Sequence, residues 1–195
     1  MEIIIIYLSF KKKLMKHILL SALILLGISA TSFAQNLPVD AGTGKITYLE
    51  VVDATGVKPV DLTKVVKDWA TKQGFTLKEE AGDKLVYDAS TSVDYPNING
   101  SGTEKSLVTF SLSIFIKDGK YRYIATDFVH AGDIKVKASG GKLENVSPEC
   151  GATKMTSKSW VMIKNKTNSN LVALTGDLKR VVKEFQNDPA NKSDW

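Results

Sequence analysis

The chain reads as an α+β protein, a two-layer sandwich of order β-α-β-β-β-β-α in which a mostly antiparallel sheet carries two helices on one face. Three observations predict it. Over 108–116 apolar residues hold the even positions while Thr109, Ser111, Ser113 and Phe115 hold the odd ones, which is the period of a strand. Asp118-Gly119 then reverses the chain into a second strand over 120–130. Two separate segments each carry a single apolar stripe at helical spacing. Strands joined by tight turns run antiparallel, and helices with one stripe apiece need a common sheet face to cover.

The first 34 residues follow the grammar of a secretory signal peptide. Basic residues run from Lys11 to Lys16, an apolar segment follows from Ile18 to Ile28, and Ser32-Phe33-Ala34 places small residues three and one positions before Gln35. Ser21, Gly27, Ser29, Thr31 and Ser32 interrupt the stretch from Ile18 to Phe33, which falls short of the roughly 20 apolar residues of a spanning helix. Cleavage after Ala34 is therefore expected, and no membrane span after it. Ile3 to Ile6 precede the basic residues, an order foreign to signal peptides, so Met15 is the expected translation start. With no Cys near the cleavage site, a lipoprotein anchor is not indicated.

Removal of 1–34 takes four Lys and one Glu with it, leaving 22 basic and 20 acidic residues and a formal charge of +2. A nearly neutral exported chain argues against a nucleic-acid partner, whose phosphates demand a concentrated basic face. The remainder is one domain's worth of sequence. Residues 35–44 read as a flexible leader, 45–187 as a single domain and 188–195 as a disordered tail. Cys150 is the only cysteine, so no intramolecular disulfide can form.

Within the domain, Lys45 to Val52 is dense in β-branched and aromatic residues and reads as the first strand. Asp61 is a helix-capping residue, followed by Leu62, Val65, Val66 and Trp69 on one stripe and Gly74 at the C-terminal cap. Residues 75–80 and 84–90 form a hairpin, and 92–102 reads as a polar connection. A short extended candidate covers 134–137. Leu171, Leu174, Leu178, Val181, Val182 and Phe185 share a stripe, which Trp160, Ile163 and Thr167 extend backward. Residues 157–187 are thus one helix, or two if the poor helix formers at 165–170 break it.

A two-residue turn at Asp118-Gly119 sets Ile116 opposite Tyr121, Ile114 opposite Tyr123 and Leu112 opposite Ala125 on the core face. The other face then holds Phe115 beside Arg122, Ser113 beside Ile124, and Thr109 beside Phe128. Strict pairing also points Asp127 into the core, so a bulge is expected near Thr126.

The topology, the exported leader, the Trp-bearing helix Leu62 to Gln73 and the strand pair Ile116-Lys-Asp-Gly-Lys-Tyr-Arg-Tyr123 resemble a family of exported bacterial proteins of unknown function described as having a TATA-binding-protein-like (TBP-like) fold. The resemblance covers roughly Leu37 to His130. It implies an address in a Gram-negative envelope, periplasm or medium, and it transfers no catalytic residue. DNA binding does not follow from a fold name, since function lives in the site.

No nucleophile elbow, P-loop, dinucleotide fingerprint or zincin motif is present. His130 is the sole histidine after residue 34, which excludes a two-His metal site. Residues 95–106 fail as a calcium loop because Tyr95 and Ser106 fall on the first and last ligand positions. No metal and no cofactor are expected. The expectation is a non-enzymatic binding or interaction module acting through the open sheet face at Phe115, Arg122, Ile124 and Phe128, with an unknown protein or envelope ligand as partner. Two rivals remain: a hydrolase using carboxylates from 92–102, and a protein that associates with itself through the same face.

Overall fold

A computed structural model describes residues 37–132 and 138–191. The expected signal peptide, the candidate strand at 134–137 and the last four residues lie outside them. The elements are β1 (Tyr48–Asp53), α1 (Pro59–Lys72), β2 (Thr76–Ala81), β3 (Lys84–Pro96), β4 (Thr103–Lys117), β5 (Lys120–Gly132), β6 (Gly141–Lys142) and α2 (Ser157–Asn187). They build a six-stranded sheet of order β1-β5-β4-β3-β2, with β6 beside β5 and every pairing antiparallel. Both helices pack on one face. Leu62, Val66 and Trp69 of α1 and Trp160, Ile163, Leu171 and Leu178 of α2 share one buried cluster with Leu85, Phe110, Leu112 and Ile114 of the sheet. The expected α+β sandwich is what forms.

Local chemistry departs from expectation at Asp61 and over 92–102, and the structure adds detail at the leader and along the last helix. Asp61 does not cap α1: Lys58 holds the N-cap position, Pro59 opens the helix and Asp61 lies in its first turn. Proline suits that position because its missing N–H has no helical acceptor to lose, and a carboxylate there complements the positive end of the helix dipole.

The polar connection at 92–102 is mostly strand. β3 runs on to Pro96 and β4 begins at Thr103, pairing Ser92 with Leu107 and Pro96 with Thr103. Val93 and Tyr95 supply the reason: both are buried on the helix side, so period two persists beneath a polar composition.

The leader is tied down from Leu37 onward. Val39 bridges Ile46, Thr47 donates its N–H to the Pro38 carbonyl at 2.8 Å, Asp40 donates its N–H to the Lys45 carbonyl at 2.9 Å, and the Asp40 carboxylate accepts from the Thr43 N–H at 2.8 Å. In the tail, Pro189–Asn191 forms a 3₁₀ turn.

α2 is a single helix. Its poor formers are individually partnered: Thr167 donates to the Ile163 carbonyl at 2.8 Å, Tyr48 donates to Asn168 Oδ1 at 2.7 Å, and Asn170 donates to Thr91 Oγ1 at 2.9 Å. Low propensity is a weak preference that such tertiary bonds override.

The hairpin register matches expectation from Lys117–Lys120 to Ser111–Thr126. Beyond it, Thr109 pairs with Val129, so Asp127 and Phe128 together oppose Phe110. This is the expected bulge, and Asp127 adopts a φ of 59° to make it. The inserted residue reverses the facing of everything after it. Asp127 turns outward to Lys45 at 2.6 Å, while Phe128 turns inward, becomes fully buried and stacks on Phe110 with ring centroids 5.2 Å apart. Phe128 therefore belongs to the core and not to the open face.

Truncating Phe128 to Ala should cost about 3–5 kcal/mol, the range for a buried aromatic, measured by urea unfolding. Ile124→Ala, three residues before Asp127 and on the other face, should cost clearly less.

Candidate functional site

The face opposite the helices is formed by odd residues of β1 and β4 and by even residues of β3 and of β5 up to Thr126. Cross-strand register sets Val51, Arg122, Phe115 and Lys84 in one row and Leu49, Ile124, Ser113 and Val86 in the next. Leu49 and Val51 are each 57% exposed on edge strand β1, and Phe115 and Ile124 are half-buried beside them. Among the described residues nothing lies over this surface as a second layer.

Arg122 is exposed, and its guanidinium carbon stands 4.5 Å from the centre of the Phe115 ring. Such stacking holds the cation by the ring quadrupole and leaves the guanidinium edge open. Around the pair is a depression of about 320 Å³ to which Val51, Phe115, Lys117, Lys120, Arg122 and Asp83 contribute.

Three of the four residues expected from sequence, Phe115, Arg122 and Ile124, are thus brought together; Phe128 is not. Sequence reasoning missed Leu49 and Val51. Their alternation with Tyr48 and Glu50 was visible, but which face they share depends on β1 pairing with the distant β5.

A TBP-like protein from Parabacteroides distasonis aligns with this chain at a TM-score of 0.56 and 17% identity, covering 75% of this chain and 97% of that one. The fold is TBP-like. A DUF4468 family protein from Bacteroides ovatus aligns at a TM-score of 0.49 and 10% identity, over 81% of this chain and 93% of the other. No family model and no curated protein matches the sequence.

Inside the TBP-like sandwich, one contact resembles a nucleophile and its base. Ser106 Oγ lies 2.7 Å from His130 Nε2, and both residues are buried. The proton arrangement runs the wrong way for catalysis. Gly140 donates its N–H to His130 Nδ1 at 2.9 Å, so Nδ1 is the acceptor and Nε2 carries the hydrogen, which points at Ser106. A base must accept from the nucleophile. The ring is held edge-on between Tyr95 and Trp160, with centroids 5.9 and 6.0 Å away. Burial pushes the imidazole pKa down to about 4, so the ring is neutral. His130 therefore serves as a structural pin between β5, β4 and the Gly140 segment. A Cβ added at Gly140 would collide with the Trp160 ring, so the close approach that delivers its N–H requires glycine.

A second hollow, of about 430 Å³, lies between the end of α1, β3 and α2. Its polar groups are already engaged: Asp177 accepts from Trp69 Nε1 at 3.0 Å and Gln73 Nε2 at 3.1 Å, and Asn170 donates to the Ser92 carbonyl at 2.8 Å. Among the described residues no three His, Cys, Asp or Glu side chains gather as a metal site, and no helix is long and apolar enough to cross a membrane.

The depressed His130 value makes stability pH-dependent in a definite sense. As pH falls below the usual 6.5 the unfolded chain takes up a proton that the folded site refuses until about 4, so stability drops across that window. The fall should be roughly 2–3 kcal/mol between pH 7.5 and 4.5, at about 1.4 kcal/mol per pH unit. Urea midpoints at the two pH values should show it, and His130→Gln should flatten it. Glu50, held low first by Lys179 and then by Tyr123, loses its contribution only at lower pH, as its depressed pKa is crossed.

Proposed function

We propose that the chain is an exported, non-enzymatic binding module that holds a protein or envelope ligand on the uncovered sheet face. The carrying observation is the run of Leu49, Val51, Phe115 and Ile124 across three adjacent strands, exposed or half-exposed with Arg122 among them. Burying one such aliphatic side chain is worth about 1.5–3 kcal/mol, and contiguous exposed apolar surface marks an interaction site.

Two further observations support the reading. The N-terminal 34 residues carry the signal-peptide pattern. The Ser106–His130 contact is closed and polarised against catalysis. The hydrolase alternative draws its acids from 92–102. That segment holds one carboxylate, Asp94, which pairs with Lys105, and the acid just beyond it, Glu104, pairs with Tyr95 and leaves the opposite face of the sheet, so the two do not converge on one substrate.

The test pairs Leu49→Ser/Ile124→Ser with a control, Val172→Ser, on the exposed side of α2. The double variant should fold, lose the partner captured by wild type from envelope extract, and differ from the control in that respect alone. Equal capture by all three would remove the face from consideration. Should the captured partner be a second copy, light scattering would show a dimer that the double variant lacks. N-terminal sequencing of the protein recovered from its native host should begin at Gln35; recovery with 15–34 attached would refute export by cleavage.

A further inference from the structure

The depression at the β4–β5 turn gathers on one lining three cations that close no ion pair among the described residues, whereas other lysines without an ion pair, such as Lys58, Lys142 and Lys158, lie outside it. Lys45, Lys67, Lys78, Lys84, Lys179 and Arg180 each meet a carboxylate within ion-pair distance. Lys117, Lys120 and Arg122 make no ion pair among the described residues. Lys117 and Lys120 are direct cross-strand partners, and like charges set opposite each other in a sheet are destabilising. Asp83 is the one carboxylate on the lining; Asp53, across from Lys120 on β1, closes no ion pair with it.

Arg122 is already oriented by its seat on Phe115 at 4.5 Å. Less side-chain freedom is lost when a planar oxyanion engages a fork held in that way. Next to the three cations lie Val51 and then Leu49 and Ile124, an apolar track leading away from the charge. The hollow, about 320 Å³, falls in the range that small ligands occupy.

We propose that this depression is a subsite for an anionic amphiphile, a carboxylate or phosphate head on an alkyl chain. Arg122, Lys117 and Lys120 take the head, and Val51, Leu49 and Ile124 take the first part of the chain. An anion seated there meets both members of the Lys117–Lys120 cross-strand pair. The inference rests on the open-face reading and narrows it to one ligand chemistry.

Calorimetric titration of the protein with decanoate, decyl phosphate, 1-decanol and decylamine, all below their aggregation limits, tests it. At least one of the two anions should bind about tenfold or more tightly than the alcohol, the size of one charge-assisted hydrogen bond, and the amine more weakly still. Preference for one anion over the other identifies the head. Arg122→Gln should bring the anion-to-alcohol ratio close to one while binding the alcohol as wild type does, with its unfolding midpoint showing that it is folded. Equal binding of alcohol and anions, no binding of any probe, or an unchanged ratio in Arg122→Gln overturns the subsite. If the probes fail while partner capture by the face persists, the subsite falls and the binding face stands; loss of neither in Leu49→Ser/Ile124→Ser removes both.

Discussion

The extra residue at Asp127 governs how the two faces of this sheet are used. Side chains on a strand alternate with a period of two, so one insertion exchanges the faces for every residue that follows. Before it, even-numbered residues of β5 point away from the helices; after it, Phe128 and His130 point toward them. Phe128 then completes the aromatic stack with Phe110 and meets Tyr48 edge-on at 5.6 Å. His130 reaches Ser106 and the Gly140 N–H. A regular strand would place a bulky aromatic and the histidine in solvent and drive the Asp127 carboxylate into the core, where an unpaired charge costs several kcal/mol. The left-handed backbone at Asp127 is tolerable because aspartate adopts it more readily than most residues.

Much of this was legible in the sequence. Alternation over 108–116 and the Asp-Gly turn fix the hairpin register, and a carboxylate landing on the core face signals the bulge. The same logic carries one step further than the four-residue site expected from sequence: whatever turns Asp127 outward must turn Phe128 inward, so a bulge at that point and Phe128 on the open face exclude each other. Other features were hidden because they rest on distant partners. Val93 and Tyr95 alternate within a stretch rich in Asn, Ser and Gly whose composition reads as a loop, and β4 supplies the ladder that makes it strand. The continuity of α2 through 165–170 depends on Tyr48 and Thr91 from the sheet, which no local preference encodes.

The two sides of the sheet differ in how their polar groups are spent. Toward the helices, side chains are cross-linked: Tyr123 donates to Glu50 at 2.6 Å, Lys179 donates to the same carboxylate at 2.7 Å, and Trp69 reaches Asp177. These bonds fasten both helices and β1 into one body. The opposite side keeps its cations near the β4–β5 turn without such partners, while Leu49 and Val51 remain exposed on the edge. Stability is concentrated in one layer, which leaves the other chemically available on a rigid platform.

That division has an optical consequence. Trp69 and Trp160 are both buried in the helical layer, with Trp160 against His130 and its indole N–H on the Asn145 carbonyl. Their emission reports whether the sandwich is assembled and is shielded by the thickness of the sheet from whatever settles on its far side. A ligand there would leave the emission of these two tryptophans quiet, and a screen that reads them alone would record a bound protein as an empty one.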